Sequence, residues 1–230
     1  MRNIAAIFQK QLLDTLRNKT VLLQFVLMPV MAVLMQNTVR PEGLGENFFV
    51  ILFAAIYVGM APMTAAGAII AEEKEKNTLR VLLLSNVRPR EYLIGVGGFV
   101  WLASMAGAGV LCAAGNYTAP QRAQFLAVMA AGILASTLIG AAIGVVSGSQ
   151  MAATSLTVPV MVVFSFVPMI ALFNDTAAAV SRWLYSGQVS AAQGRIGNGA
   201  LPWEGILVMG ANLLAAGLLF TAAYRRCRLS

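Results

Sequence analysis

The chain has 230 residues, of which 59% are hydrophobic and only 11% charged, where soluble globular proteins carry roughly a quarter charged. With a mean hydropathy of +0.77, that composition excludes an ordinary water-soluble domain and describes an integral membrane protein. Histidine is absent, which removes the commonest general base and metal ligand, and the formal charge of +7 informs through its distribution more than its size.

No signal-peptide pattern opens the chain, because Gln9, Lys10, Gln11, Asp14 and Arg17 interrupt the place of an apolar core. Residues 2–19 set Ile4, Ile7, Phe8, Leu12 and Leu16 at one-sided helical spacing among Arg2, Lys10, Arg17 and Lys19. That pattern predicts an interfacial helix ahead of the first span, with a plain extension of that span as the alternative. Apolar runs then predict spans at 21–38, 48–71, 93–115, 123–148, 151–173 and 205–224. Prolines 29, 62, 159 and 168 fall within them, where a helix can kink. The expected fold is therefore an all-α integral membrane protein of six transmembrane helices, one transmembrane domain over 1–230.

Between the second and third spans, residues 72–91 gather nine of the charged side chains. Glu72, Glu73, Lys74, Glu75 and Lys76 carry the second helix out of the apolar zone. Asn77-Thr78 is a break with capping chemistry. Leu79, Leu82 and Leu83 recur at i, i+3, i+4, one face of a short amphipathic helix ended by Ser85-Asn86. Pro89 at a first helical position and Glu91 in the first turn start the next helix. A solvated loop that merely sets topology is the plain alternative for this stretch.

The fourth span carries Gly132, Ser136, Gly140, Gly144 and Gly148 at strict four-residue intervals. Such a ladder permits close helix–helix approach, within the chain or against a second copy. Residues 174–204 are neither clearly spanning nor clearly soluble. Val180, Trp183 and Leu184 form an i, i+3, i+4 face, predicting an external interfacial or re-entrant helical pair; a flexible loop is the alternative. Cys112, inside a span, and Cys227, near the end, read as a small core residue and a free thiol.

Six spans put both termini on one side. Arg2, Lys10, Arg17, Lys19, Lys74, Lys76, Arg80, Arg88, Arg90, Arg225, Arg226 and Arg228 fall there, and only Arg40, Arg122, Arg182 and Arg195 fall opposite. The positive-inside rule then makes the termini and the charged connector cytoplasmic. The partner for this positive charge is membrane lipid, not nucleic acid.

No catalytic or metal-binding constellation is visible. Lys10, Lys19, Lys74 and Lys76 all lack the preceding glycine of a phosphate loop. No ionisable residue lies inside a predicted span, which counts against a proton- or sodium-coupled carrier and against an intramembrane protease. A translocation subunit driven by an outside ATPase and a self-contained transporter or channel both remain open on residue types.

Glu73-Lys74-Glu75, Thr78-Leu79, Leu82-Leu83, Ser85, Glu91 and Gly95 fall where the permease subunits of ABC-2 type transporters carry theirs. The chain resembles that family in length and span layout as well. It departs at Asn86, where a proline is common, and at Val96, where a lysine often follows the glycine. The resemblance implies that Glu72, Glu73, Glu75, Thr78, Leu79, Leu82 and Leu83 form the coupling element that meets the ATPase. It implies ATP and Mg on separate ATPase subunits and no cofactor in this chain. It further implies a second permease chain, identical or paralogous, and export across the cell membrane. The uncharged, Ala/Gly/Met-rich spans fit an amphipathic or lipidic cargo.

Overall fold

The computed structural model describes residues 2–39, 45–79, 82, 87–196 and 203–227. Its helices are α1 (Arg2–Arg17), α2 (Lys19–Thr38), α3 (Phe48–Glu75), α4 (Pro89–Ala114), α5 (Ala119–Val146), α6 (Gln150–Ile170), α7 (Asp175–Ser181), α8 (Tyr185–Gly194) and α9 (Trp203–Cys227). Among the described residues there is no strand, and six helices, α2 to α6 and α9, are long and apolar enough to cross a membrane. Leu83, Ser85-Asn86, the loop residues from 40 to 44 and Gly197 and Gly199 lie outside the described residues.

Local chemistry sets the helix ends. α4 starts at Pro89, and the Arg88 backbone N–H donates to Glu91 Oε2 at 3.0 Å. α5 starts at Ala119, ahead of the expected 123, because the Thr118 N–H donates to Gln121 Oε1 at 2.8 Å and Pro120 suits a first turn. Gln121 and Arg122 are therefore helical, not loop. Ser149 Oγ caps α6 by accepting from the Ala152 N–H at 3.2 Å, and Asn174 Oδ1 caps α7 through the Ala177 N–H at 3.0 Å. α6 ends at Ile170, three residues short of the expected span, in hydrogen-bonded turns through Phe173.

The bundle is built around α3. Of its apolar window 67% is buried, against 17% for α2, 22% for α6 and 6% for α9. α3 touches α2, α4, α5, α6 and α8, while α9 lies along α5 on the outside. Small residues bring the backbones together. A Cβ at Gly140 of α5 would overlap the Met63 carbonyl oxygen, and one at Gly144 would come within 2.8 Å of the Gly67 carbonyl oxygen. Gly132 abuts Val58 and Val189, and Ser136 is fully buried. The ladder of the fourth span thus packs within the chain, except Gly148, which lies past the end of α5 with nothing near it. Tyr57 crosses from α3 to α4 and donates to the Ser104 carbonyl at 3.1 Å.

Polar contacts alternate between the two ends of the bundle. At one end Asn3 reaches Glu91, and Lys74 reaches the end of α5. At the other, the Asn116 N–H donates to Asn47 Oδ1 at 2.9 Å and Asn212 Nδ2 donates to the Trp183 carbonyl at 2.9 Å. Chain direction therefore reverses at each long helix. α7 and α8 form a short elbow at the second end, closed tightly where Gly187 lies against the Ser181 carbonyl and hydroxyl.

Replacing Gly140 by Ala is expected to destabilise the fold by about 1–3 kcal/mol, because the methyl group meets backbone that cannot rotate away. Gly97→Ala, into open space on α4, is expected to be neutral or slightly stabilising, since alanine is the better helix former. Thermal unfolding of both variants in one detergent checks this; equal midpoints would contradict the tight α3–α5 contact.

Candidate functional site at the charged end of α3

α3 ends where its sequence turns from apolar to Glu72-Glu73-Lys74-Glu75-Lys76. The chain then reverses at Asn77, whose φ of 56° is left-handed, a conformation asparagine tolerates better than most residues. The Lys76 N–H donates to the Glu72 carbonyl at 2.9 Å and the Asn77 N–H to the Lys74 carbonyl at 3.1 Å, closing the helix end.

Three successive side chains then bind three different helices. Glu73, only 6% exposed, turns to α1. Its Oε1 accepts from Gln11 Nε2 at 2.6 Å and forms an ion pair with Lys10. Lys74 donates to the carbonyls of Val145 and Ser147, at 2.5 and 2.7 Å, where α5 ends. Glu75 Oε2 accepts from the Gln150 N–H at 2.8 Å, the first residue of α6. Lys74 and Glu75 also suit the dipoles they meet, a cation at a helix C-terminus and an anion at an N-terminus. Glu72 faces outward and pairs with Lys76 at 2.5 Å, holding that ammonium above the usual lysine value.

α1 is fastened along its length. Ile7 fits against Gly95 of α4, and Phe8 meets Phe99 edge-on at 5.7 Å. Asn3 Nδ2 donates to Glu91 Oε2 at 3.1 Å. Between α1 and the ends of α2 and α3 lies a polar cleft of about 560 Å³ whose walls include Lys10, Asp14, Glu72, Glu73, Lys76 and Thr78.

Of the connector's leucines, Leu79 and Leu82 are turned toward the chain itself. Leu79 is 5% exposed and belongs to the chain's own core with Ile70, Tyr92, Val96 and Phe99, and Leu82 packs half-buried against the same cluster. The physical reason is that Asn77 folds the chain back, so the first leucines after it meet α4 instead of solvent. At the opposite end, Val180 and Trp183 are 49% and 65% exposed, and Leu184 is half-buried. Trp183 is thus a surface aromatic beneath the Arg182 guanidinium, 5.8 Å away.

Sequence reasoning missed the fastening of α1 to Glu73. The available signal was Gln11 beside Lys10 on an otherwise apolar helix face, opposite the acidic cluster. No described group of His, Cys, Asp and Glu residues is arranged to hold a metal ion. The geometry is that of a mechanical junction: one short charged segment locks four helices of a membrane bundle.

Six apolar helices, a charged junction at one end and a short helical elbow at the other define a multi-pass membrane protein. The model of the family described as ABC-2 family transporter protein matches residues 2–225, and the chain belongs to that family. No curated protein matches the sequence.

Removing the Glu73 carboxylate should free α1. Glu73→Leu is expected to cost about 1.5–3 kcal/mol, the usual worth of hydrogen bonds to a charged group. Glu75→Gln, at an exposed helix N-terminus, should cost only about 0.3–1 kcal/mol. Hydrogen exchange followed by mass spectrometry should show faster exchange across Arg2–Arg17 in the first variant alone. Unchanged protection of α1 in Glu73→Leu would refute the fastening.

Proposed function

We propose that the chain is the permease subunit of an ATP-driven exporter, a single transmembrane domain that pairs with a second permease chain. Separate ATPase subunits supply ATP and Mg chemistry. The observation that carries this reading is the junction of Glu73, Lys74 and Glu75. A partner pressing on the connector from the charged end moves α1, α3, α5 and α6 together, because each is tied to the same three residues.

In this reading the coupling residues divide their work. Leu79 and Leu82 peg the connector to the bundle, so a push on it is not lost in a slack loop. Leu83, Glu72, Glu75 and Thr78 meet the ATPase. Val180, Trp183 and Leu184 lie at the far membrane boundary, and α1 lies along the near one. A self-contained carrier has no use for a connector pegged in this way. Amphipathic or lipidic molecules remain the cargo class that uncharged spans suit.

Both termini are cytoplasmic in this arrangement, and the membrane is the cell membrane. Single-cysteine variants at Lys76 and Asn116 test it: a membrane-impermeant thiol reagent applied outside cells should label position 116 and spare position 76. The reverse pattern would invert the subunit and disconnect it from cytoplasmic ATP.

Leu83→Asp tests the coupling. Burying one leucine is worth roughly 1.5–3 kcal/mol, so co-purification of the ATPase should fall by about tenfold or more while membrane insertion stays normal. Wild-type recovery of an ATPase with the Leu83→Asp chain would remove the connector from the interface.

A further inference from the structure

At the end of the bundle opposite the charged junction, a cleft of about 550 Å³ opens between the start of α3, the end of α6 and the α7–α8 elbow. Phe48, Pro168 and Leu172 give it apolar walls. Gln193 of α8 also lines it, and that side chain is anomalous: it is 2% exposed, and among the described residues neither its amide nitrogen nor its amide oxygen has a hydrogen-bond partner. Tyr117, 7% exposed, lines the same cleft with its hydroxyl likewise unpartnered.

A buried carboxamide without partners is costly, and an apolar residue of similar shape would cost less. Here the unpartnered groups stand beside an opening large enough to admit a ligand. Among the described residues the charged ones on the cleft are Glu46 and Arg182, of opposite sign, so this pair selects no net charge. A carboxamide offers a donor and an acceptor side by side, which another amide matches with its own acceptor and donor.

We propose that this cleft is a binding site for an amphipathic amide, with Gln193 and Tyr117 taking its amide group and Phe48, Pro168 and Leu172 its apolar chain. Binding is a property of this chain by itself, and it rests on the transport reading only in making the occupant a cargo. A rotation of the Gln193 side chain toward the cleft gives the entering amide the hydrogen bonds that Gln193 lacks among the described residues.

The test uses the purified full chain in phosphatidylcholine nanodiscs with 4-benzoyl-N-dodecylbenzamide, a photoreactive alkyl amide. Irradiation should label peptides containing Pro168–Leu172 and Tyr185–Gly194. Excess N-dodecylacetamide should suppress the labelling, and dodecane should not. Gln193→Leu should lower labelling about fivefold, the worth of a neutral hydrogen bond. The same variant should unfold no earlier than wild type, because removing an unpartnered polar group does not weaken a fold. Tyr117→Phe, which deletes one hydroxyl, should lower labelling about twofold or more and decides the matter should Gln193→Leu not fold. Labelling unchanged in the variants, or spread evenly over α2, α6 and α9, would overturn the proposal. Intact labelling in a chain that recruits no ATPase would remove the transport reading and leave the site standing; the converse would do the opposite.

Discussion

The structure depends on the contact between α3 and α5, where Gly140 and Gly144 face Met63, Gly67 and Ile70 without intervening side chains. In a membrane the solvent is as apolar as the side chains, so burying leucine on leucine gains little. What distinguishes one helix arrangement from another is dispersion between closely fitted surfaces. Glycine at the crossing permits that fit by removing the Cβ that would hold the backbones apart. Gly67 serves the same contact from the other side, its missing Cβ lying 3.3 Å from the Gly140 carbonyl oxygen and from Thr157 Oγ1 of α6. α3 can therefore have α5 on one flank and α6 on another, and the remaining helices are arranged around that trio.

The charged end follows from this placement. Because α3 is central, side chains at its end are within reach of every helix that terminates nearby. Glu73, Lys74 and Glu75 point in three directions, about 100° apart, as consecutive helical residues must. Each meets a group of opposite polarity. Lys74 and Glu75 meet backbone groups at helix ends, and Glu73 meets Lys10 and Gln11 in the middle of α1. Exposed ion pairs contribute little to stability, but these are joints between elements, and Glu73 is buried.

Much of the fold was legible in the sequence because the membrane imposes a strong rule: long apolar runs must be helices with satisfied backbones. Six spans, the break at Asn77-Thr78 and the Pro89 start could be read from residue types alone. The ladder of Gly132, Ser136, Gly140 and Gly144 announced close packing without naming the partner, since any helix face can answer a groove. The direction of the leucines was not legible. Leu79, Leu82 and Leu83 give the same periodicity whether the stripe meets a partner or the chain's own core, and Leu79 turns to the core because Tyr92, Val96 and Phe99 stand behind it. Gln193 was equally silent. In a stretch of glycine, serine and glutamine, nothing in the pattern marks one carboxamide as buried and unsatisfied.

The two notable ends of the molecule belong to one helix. Phe48, at the start of α3, walls the cleft that Gln193 lines, and Glu73 to Glu75, at its end, form the junction. α3 runs 28 residues between them, about 42 Å at the rise of an α-helix. Pro62 lies inside it and is buried, so the backbone donor that proline lacks is missing at mid-bundle, the place where such a helix bends most readily. A displacement at the charged end therefore has two routes. If α3 stays straight, the cleft moves with the junction as one lever. If it bends at Pro62, the junction moves against Gly67 and Gly140 while Phe48 keeps its place. The close contact below Pro62 favours the first route, because bending there would force Gly67 into the α5 backbone that it already touches.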